Sequence, residues 1–146
     1  SYANPDHELA VGAMLEGAFP FVSLSCRVLP EVKEYERTAT TVVDAYVKPV
    51  VSRYLDNLRA NLDAAGVRAP LLVMQSNGGV FSERAAVASP VRIIESGPAA
   101  GAIAAQALGR AAGIDNLIAF DMGGTTAKAS IVERGPLGAG QSMTLG

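Results

Sequence analysis

The sequence predicts an α/β fold. Stretches with apolar residues at helical spacing alternate with short apolar runs of strand length, and a glycine pair, Gly123-Gly124, follows directly on the last of these runs. Asn4-Pro5-Asp6 is suited to cap a first helix with Pro in its opening turn, Leu9, Met14 and Leu15 facing inward and an end near residues 17–20. Residues 21–25 alternate as a short strand would, and Pro30 marks the turn after it. A long helical stretch over 31–65 places Val43, Val47, Val50, Tyr54, Leu58 and Leu62 on one face. Pro49 removes a backbone donor within it, which predicts a kink or two abutting helices, and Gly66 closes it.

Residues 71–75 form an apolar run between Pro70 and Gly78, the pattern of a buried strand, and Asn77-Gly78-Gly79 turns the chain. Ser96-Gly97-Pro98 opens an Ala-rich helix over 99–112 that Gly113 ends, with Ser96 suited to cap it. Residues 117–121 then read as a buried strand. The sequence contains no internal repeat, and its low-complexity segment is the Gly-rich tail over 135–146.

Composition narrows the function. Of 146 residues, 49% are hydrophobic and 18% charged, a globular balance, and the net charge of −2 offers no basic arm for nucleic acid or for a membrane surface. Small molecules or proteins are the expected partners. Cys26 is the only cysteine, so an intrachain disulfide and a Cys₄ zinc site are excluded. The same lone thiol fits a reducing compartment, and after an apolar run it reads as a small core residue before it reads as a reactive group. No apolar run reaches the ~20 residues of a membrane helix. The start has no leader-like segment, and both ends read as cuts through something longer. A cytoplasmic setting is the expectation.

The most chemically pointed motif is Asp121-Met122-Gly123-Gly124-Thr125-Thr126. It lies at the carboxyl end of a strand, where open α/β sheets bind ligands. Gly123 and Gly124 permit positive φ and a close backbone approach to an anion, and Thr125 and Thr126 add hydroxyls. Asp121 would hold Mg²⁺, chiefly through water, and the metal would bridge to phosphate oxygens. By spacing alone, a plain hairpin turn explains the same residues. The helix that begins at Ser96-Gly97-Pro98 shifts the balance, since a helix preceding such a turn is a larger pattern that unrelated hairpins rarely reproduce, and its free N–H groups offer a further anion contact at Gly97.

The helix and turn together resemble the connecting helix and second phosphate loop of actin-like and heat-shock chaperone ATPases. More specifically, the chain resembles the hydantoinase A, 5-oxoprolinase and acetone carboxylase subunit family. The resemblance rests on Asn4-Pro5-Asp6-His7-Glu8, Ser23-Leu24-Ser25, Leu29-Pro30-Glu31, Glu34-Tyr35-Glu36-Arg37-Thr38, Thr41-Val42-Val43-Asp44-Ala45-Tyr46, Met74-Gln75-Ser76-Asn77-Gly78-Gly79, Glu95-Ser96-Gly97-Pro98 and the Asp121 turn, in family order over about residues 2–134. It implies a ribonuclease-H-like fold of two domains that clamp ATP. Residues 1–94 would belong to the first domain, 95–113 to the connecting helix and 114–146 to the opening of the second. It further implies that Mg-ATP activates a carbonyl oxygen of a cyclic amide or imide before hydrolysis, with a ketone carboxylase as the alternative. Asp121, Gly123, Gly124, Thr125 and Thr126 would carry the second phosphate site, and a hydantoinase B-like subunit or domain would be the partner. The first phosphate loop lies outside this chain, so the isolated chain is expected to be catalytically inactive.

A second function class, a nucleotide-gated binding module of the chaperone or actin type, shares the helix and turn. The upstream segments around Glu34 and Gln75 favour the enzyme. Three positions depart from the family: Lys128 where Asp is common, Asp44 in place of Asn, and Cys26 in place of His. Lys128 would contact phosphate or stand as a solvated strand residue, the latter favoured. His7 and Glu8 read as helix-start residues before they read as a base or a metal ligand, because no second His exists. Glu34, Glu36 and Arg37 read as a solvated helix start. Gln75-Ser76-Asn77 would orient a polar substrate or form a plain turn, and Gly97 and Gly101 would serve close packing as readily as a ligand. No general base stands out.

Overall fold

The computed structural model describes residues 2–124 and 126–133. Their backbone is α/β, with five α-helices, one short 3-10 helix (Pro90–Ile93) and two small two-stranded sheets among the described residues. It divides into two compact units, one of residues up to 72 with 82–91, the other of 73–81 with 92 onward.

The first unit holds helices α1 (Asp6–Leu15), α2 (Ser25–Val28), α3 (Glu34–Ala64) and α4 (Glu83–Ala88). Pro5 is the N-cap of α1 and makes no side-chain capping bond; Asn4, one residue before it, accepts the Asp6 amide on its Oδ1 at 2.9 Å. The inward face differs from expectation: Leu9 and Leu15 are half-buried, but Met14 is 80% exposed. Gly12 is the buried residue of α1 instead, and a Cβ there would meet Leu24 Cδ1 at 2.8 Å.

Residues 21–24 form no strand. Their polar groups bond to α3 rather than to a neighbouring strand, with Lys48 Nζ donating to the Val22 carbonyl at 3.3 Å and to Ser23 Oγ at 3.1 Å. Helix α3 runs 31 residues with Pro49 inside it, a single helix where two were a possible outcome. Its long flanking turns absorb the lost hydrogen bond, a cost of about 3 kcal/mol. Its buried positions are Asp44, Lys48 and Leu55; Val43, Val47, Leu58 and Leu62 are half-buried, whereas Val50 and Tyr54 lie exposed. The predicted face is therefore right for four of six residues, and its centre carries an ion pair.

The second unit contains the turn after β1 (Leu72–Met74), the strand β2 (Val80–Ser82) that pairs with β1, helix α5 (Ser96–Ala111), and the hairpin of β3 (Leu117–Met122) and β4 (Ala127–Val132). Gly78 takes φ +86° in that turn, and the Gly79 amide donates to Asn77 Oδ1 at 2.9 Å. Helix α5 ends where Gly113 takes φ +72°. β3 and β4 are antiparallel, with Ile118 opposite Ile131, Phe120 opposite Ala129 and Asp121 opposite Lys128. Gly109 lets the end of α5 close on β3, since a Cβ there would collide with Leu117 Cδ2. The strand is not buried on both faces as predicted: Ile118, Phe120 and Met122 stand exposed on the face opposite Leu117 and Ala119.

Candidate functional site: the cleft at the Asp121 turn

The β3–β4 hairpin and the start of α5 enclose an open cleft of about 310 Å³, lined by Ile93, Glu95, Ser96, Gly97, Pro98, Asp121, Gly123, Thr126 and Lys128. The structure thus brings together Gly97, Asp121, Gly123 and Thr126, four of the residues the sequence singles out. Gly124 sits in the same turn, and Thr125 lies outside the described residues.

The turn closes by a hydrogen bond from the Gly123 amide to the Thr126 carbonyl at 3.0 Å. That amide is spent inside the hairpin. Neither Gly123 nor Gly124 takes a positive φ, so their part is not the left-handed turn predicted for them. What they supply is room: a Cβ on Gly124 or Gly97 would meet nothing within 4 Å, and one on Gly123 would meet only the Thr126 carbonyl at 4.0 Å. The cleft floor is open backbone, which an anion can approach.

Helix α5 begins at Ser96, three residues before the predicted start at 99. Glu95, not Ser96, is the N-cap, at φ 66°, the only described non-glycine residue with positive φ. Its side chain makes no capping hydrogen bond. It pairs instead with Lys128, each side chain being 38% exposed. Lys128 is therefore a paired residue of the cleft wall, not a solvated strand residue. Ser76 holds the approach to Glu95: its amide donates to the Arg92 carbonyl at 2.7 Å, and its hydroxyl reaches the carbonyls of Arg92 and Ile94. Gln75-Ser76-Asn77 thus bonds to neighbouring backbone, through both its side chains and its own amides, the plain-turn reading with a positioning role added. No sequence pattern signals the Glu95–Lys128 pair, which joins residues 33 apart.

The residues present suit a phosphate group. A free helix start, an open glycine floor, the Thr126 hydroxyl and the Lys128 ammonium are anion-binding groups, and Asp121 is the carboxylate that would face a metal. Among the described residues no cluster of three His, Cys, Asp or Glu side chains is arranged to hold a metal. Mg²⁺ at this turn would take most of its ligands from water and phosphate.

Other singled-out residues serve structure. Glu8 accepts from the Ser25 amide at 2.5 Å, the Ser25 hydroxyl at 3.1 Å and the Cys26 amide at 3.3 Å, tying α1 to α2. Burial pushes the Glu8 carboxyl up, but these hydrogen bonds outweigh it and hold the group below its ordinary range. Burial, then the Glu8 charge, pushes the Cys26 thiol up, so Cys26 is not an activated nucleophile. His7 is exposed on α1, and Glu34 and Glu36 are exposed in the first turn of α3. A Cβ on Gly101 would meet nothing within 4 Å, so close packing does not explain that glycine.

An α/β chain with an acidic, glycine-rich hairpin turn facing a helix start is an arrangement found among phosphate-binding proteins. The comparisons with known proteins are more specific. The hydantoinase/oxoprolinase profile matches residues 37–142. A protein of Methanocaldococcus jannaschii is 46% identical over 140 residues, 94% of this chain and 21% of its own length. The caprolactamase subunit alpha of Pseudomonas jessenii is 42% identical over 133 residues, covering 86% of this chain and 18% of its own length. The 5-oxoprolinase 1 of Arabidopsis thaliana is 38% identical, covering 89% of this chain and 10% of its own length. The chain belongs to the hydantoinase/oxoprolinase family, and it spans about a fifth or less of these relatives. No described helix is long and apolar enough to cross a membrane.

Proposed function

We propose that this chain is the part of an ATP-dependent cyclic-amide hydrolase that grips nucleotide phosphates at the Asp121 turn. The observation that carries the reading is the convergence of Asp121, Thr126, Lys128 and Gly97 on one open cleft. Family membership supports the amide chemistry, as two relatives are named for lactam substrates, a caprolactamase and a 5-oxoprolinase. In this reading Gly97 and Thr126 donate to phosphate oxygens, and Asp121 orients water around Mg²⁺. ATP would activate the amide carbonyl oxygen toward attack by water.

The corresponding fold is ribonuclease-H-like and actin-related. Residues 1–94 would close a first domain, 95–113 connect, and 114–146 open a second. A second subunit is part of the proposal, supported by the subunit designation of the caprolactamase relative. The test is ATP consumption by the full-length protein with its partner, given hydantoin, 5-oxoproline or caprolactam in one arm and a ketone with bicarbonate in the other. The expected result is ATP turnover coupled to opening of a cyclic amide. Turnover only with ketone and bicarbonate would replace hydrolysis by carboxylation, and ATP turnover in neither arm would overturn the proposal.

A further inference from the structure

We infer that Lys128 is the phosphate-contacting cation of the Asp121 turn and that Glu95 holds it in reserve as an internal competitor for the incoming anion. The inference rests on the nucleotide reading above. Lys128 stands directly across the hairpin from Asp121. Cross-strand partners project to the same face, which places the ammonium beside the carboxylate that would face the metal. Both residues line the cleft together with Glu95.

Glu95 is placed unusually for an N-cap. Its backbone is left-handed, a conformation an L residue adopts reluctantly, and its carboxylate caps no amide. The side chain is spent on Lys128 instead. A carboxylate at the mouth of a helix start that is already paired with the nearby cation occupies the electrostatic place of a phosphate. Because both partners are 38% exposed, the pair is weak and exchanges readily. A polyphosphate with more charge than one carboxylate takes the ammonium from it. Glu95 then swings free of the cation, and Asp121 is left as the carboxylate that would face Mg²⁺ and its water.

The test is calorimetric titration of Mg-ATP into the full-length protein and its variants. Glu95→Gln and Glu95→Gly are both expected to tighten binding, by up to about fivefold for loss of an exposed pair. Glycine accepts φ 66° without strain, so the second variant keeps the helix start intact. Lys128→Met is expected to weaken binding about tenfold, the scale of one charge-assisted contact. The loss should be greater when Lys128→Met is made in the Glu95→Gln background than in the wild type. If the wild type binds, Asp121→Ala does not, and either both Glu95 variants fail to tighten or Lys128→Met changes nothing, the inference is overturned while the nucleotide reading stands. If wild type and Asp121→Ala bind equally, or neither binds, the nucleotide reading falls and the inference with it.

Discussion

The carboxylate of Asp44, fully buried on α3, lies 3.4 Å from the ammonium of Lys48 one turn along the same helix. Ser23 Oγ donates to the same carboxylate oxygen at 2.6 Å, and the Val91 amide donates to the other at 3.1 Å. Lys48 in turn donates to Ser23 and Val22. This closed network anchors the irregular residues 21–24 and the end of the α4 region onto α3. Its bonds are all spent internally, so its role is structural.

Breaking one half of that network leaves a buried charge unpaired. Lys48→Met is expected to destabilise the first unit by about 3–5 kcal/mol, read as faster hydrogen exchange over residues 21–25 and 89–91. The double variant Asp44→Asn with Lys48→Met should recover much of the loss, because a neutral amide still accepts from Ser23 or Val91. A double variant as damaged as the single one would show that the charges are not what matters.

Glu8 makes an acid-sensitive latch. Its carboxyl is held below its ordinary range, so its contribution is complete above the unfolded-state pKa and is lost as pH falls through the folded-state value. Exchange protection at the Ser25 and Cys26 amides should therefore decline as pH drops below the ordinary carboxylate range. Glu8→Gln should lower protection by about 1–3 kcal/mol at neutral pH and flatten that dependence.

Gly109 is a packing residue. Gly109→Val is expected to cost about 1–3 kcal/mol or more as Leu117 is pushed off α5, even though a helix position ordinarily gains from losing glycine. Limited proteolysis within the β3–β4 hairpin measures this, and unchanged cleavage rates would place the glycine outside the α5–β3 contact.

Much of this architecture was legible in the sequence because it depends on local signals. Asn4 at the start of α1, Gly66 and Gly113 after α3 and α5, and the Gly123-Gly124 pair between β3 and β4 each act within a few residues. The residues of the candidate cleft were legible in the same way: the Asp121 turn and the Ser96-Gly97 helix start both line it. Lys48 was passed over, and Asp44 was noted only as a departure from the family, because counting apolar residues assigns a helix face to its valines, and an ion pair at its centre depends on Ser23 and Val91, far off in the chain. Residues 21–24 alternate like a strand but lack a partner strand, and side chains satisfy their backbone instead. Glu95 and Lys128 meet across 33 residues, a contact no periodicity reports.

The central claim is that the Asp121 turn serves nucleotide chemistry. The most direct measurement is Mg-dependent ATP hydrolysis by the full-length protein with its partner, wild type against Asp121→Ala, with circular dichroism to establish that the variant is folded. The account predicts loss of hydrolysis, by 100-fold or more on the order seen when an electrostatic catalytic contact is removed, in a folded protein. Unchanged ATP turnover in folded Asp121→Ala would contradict it.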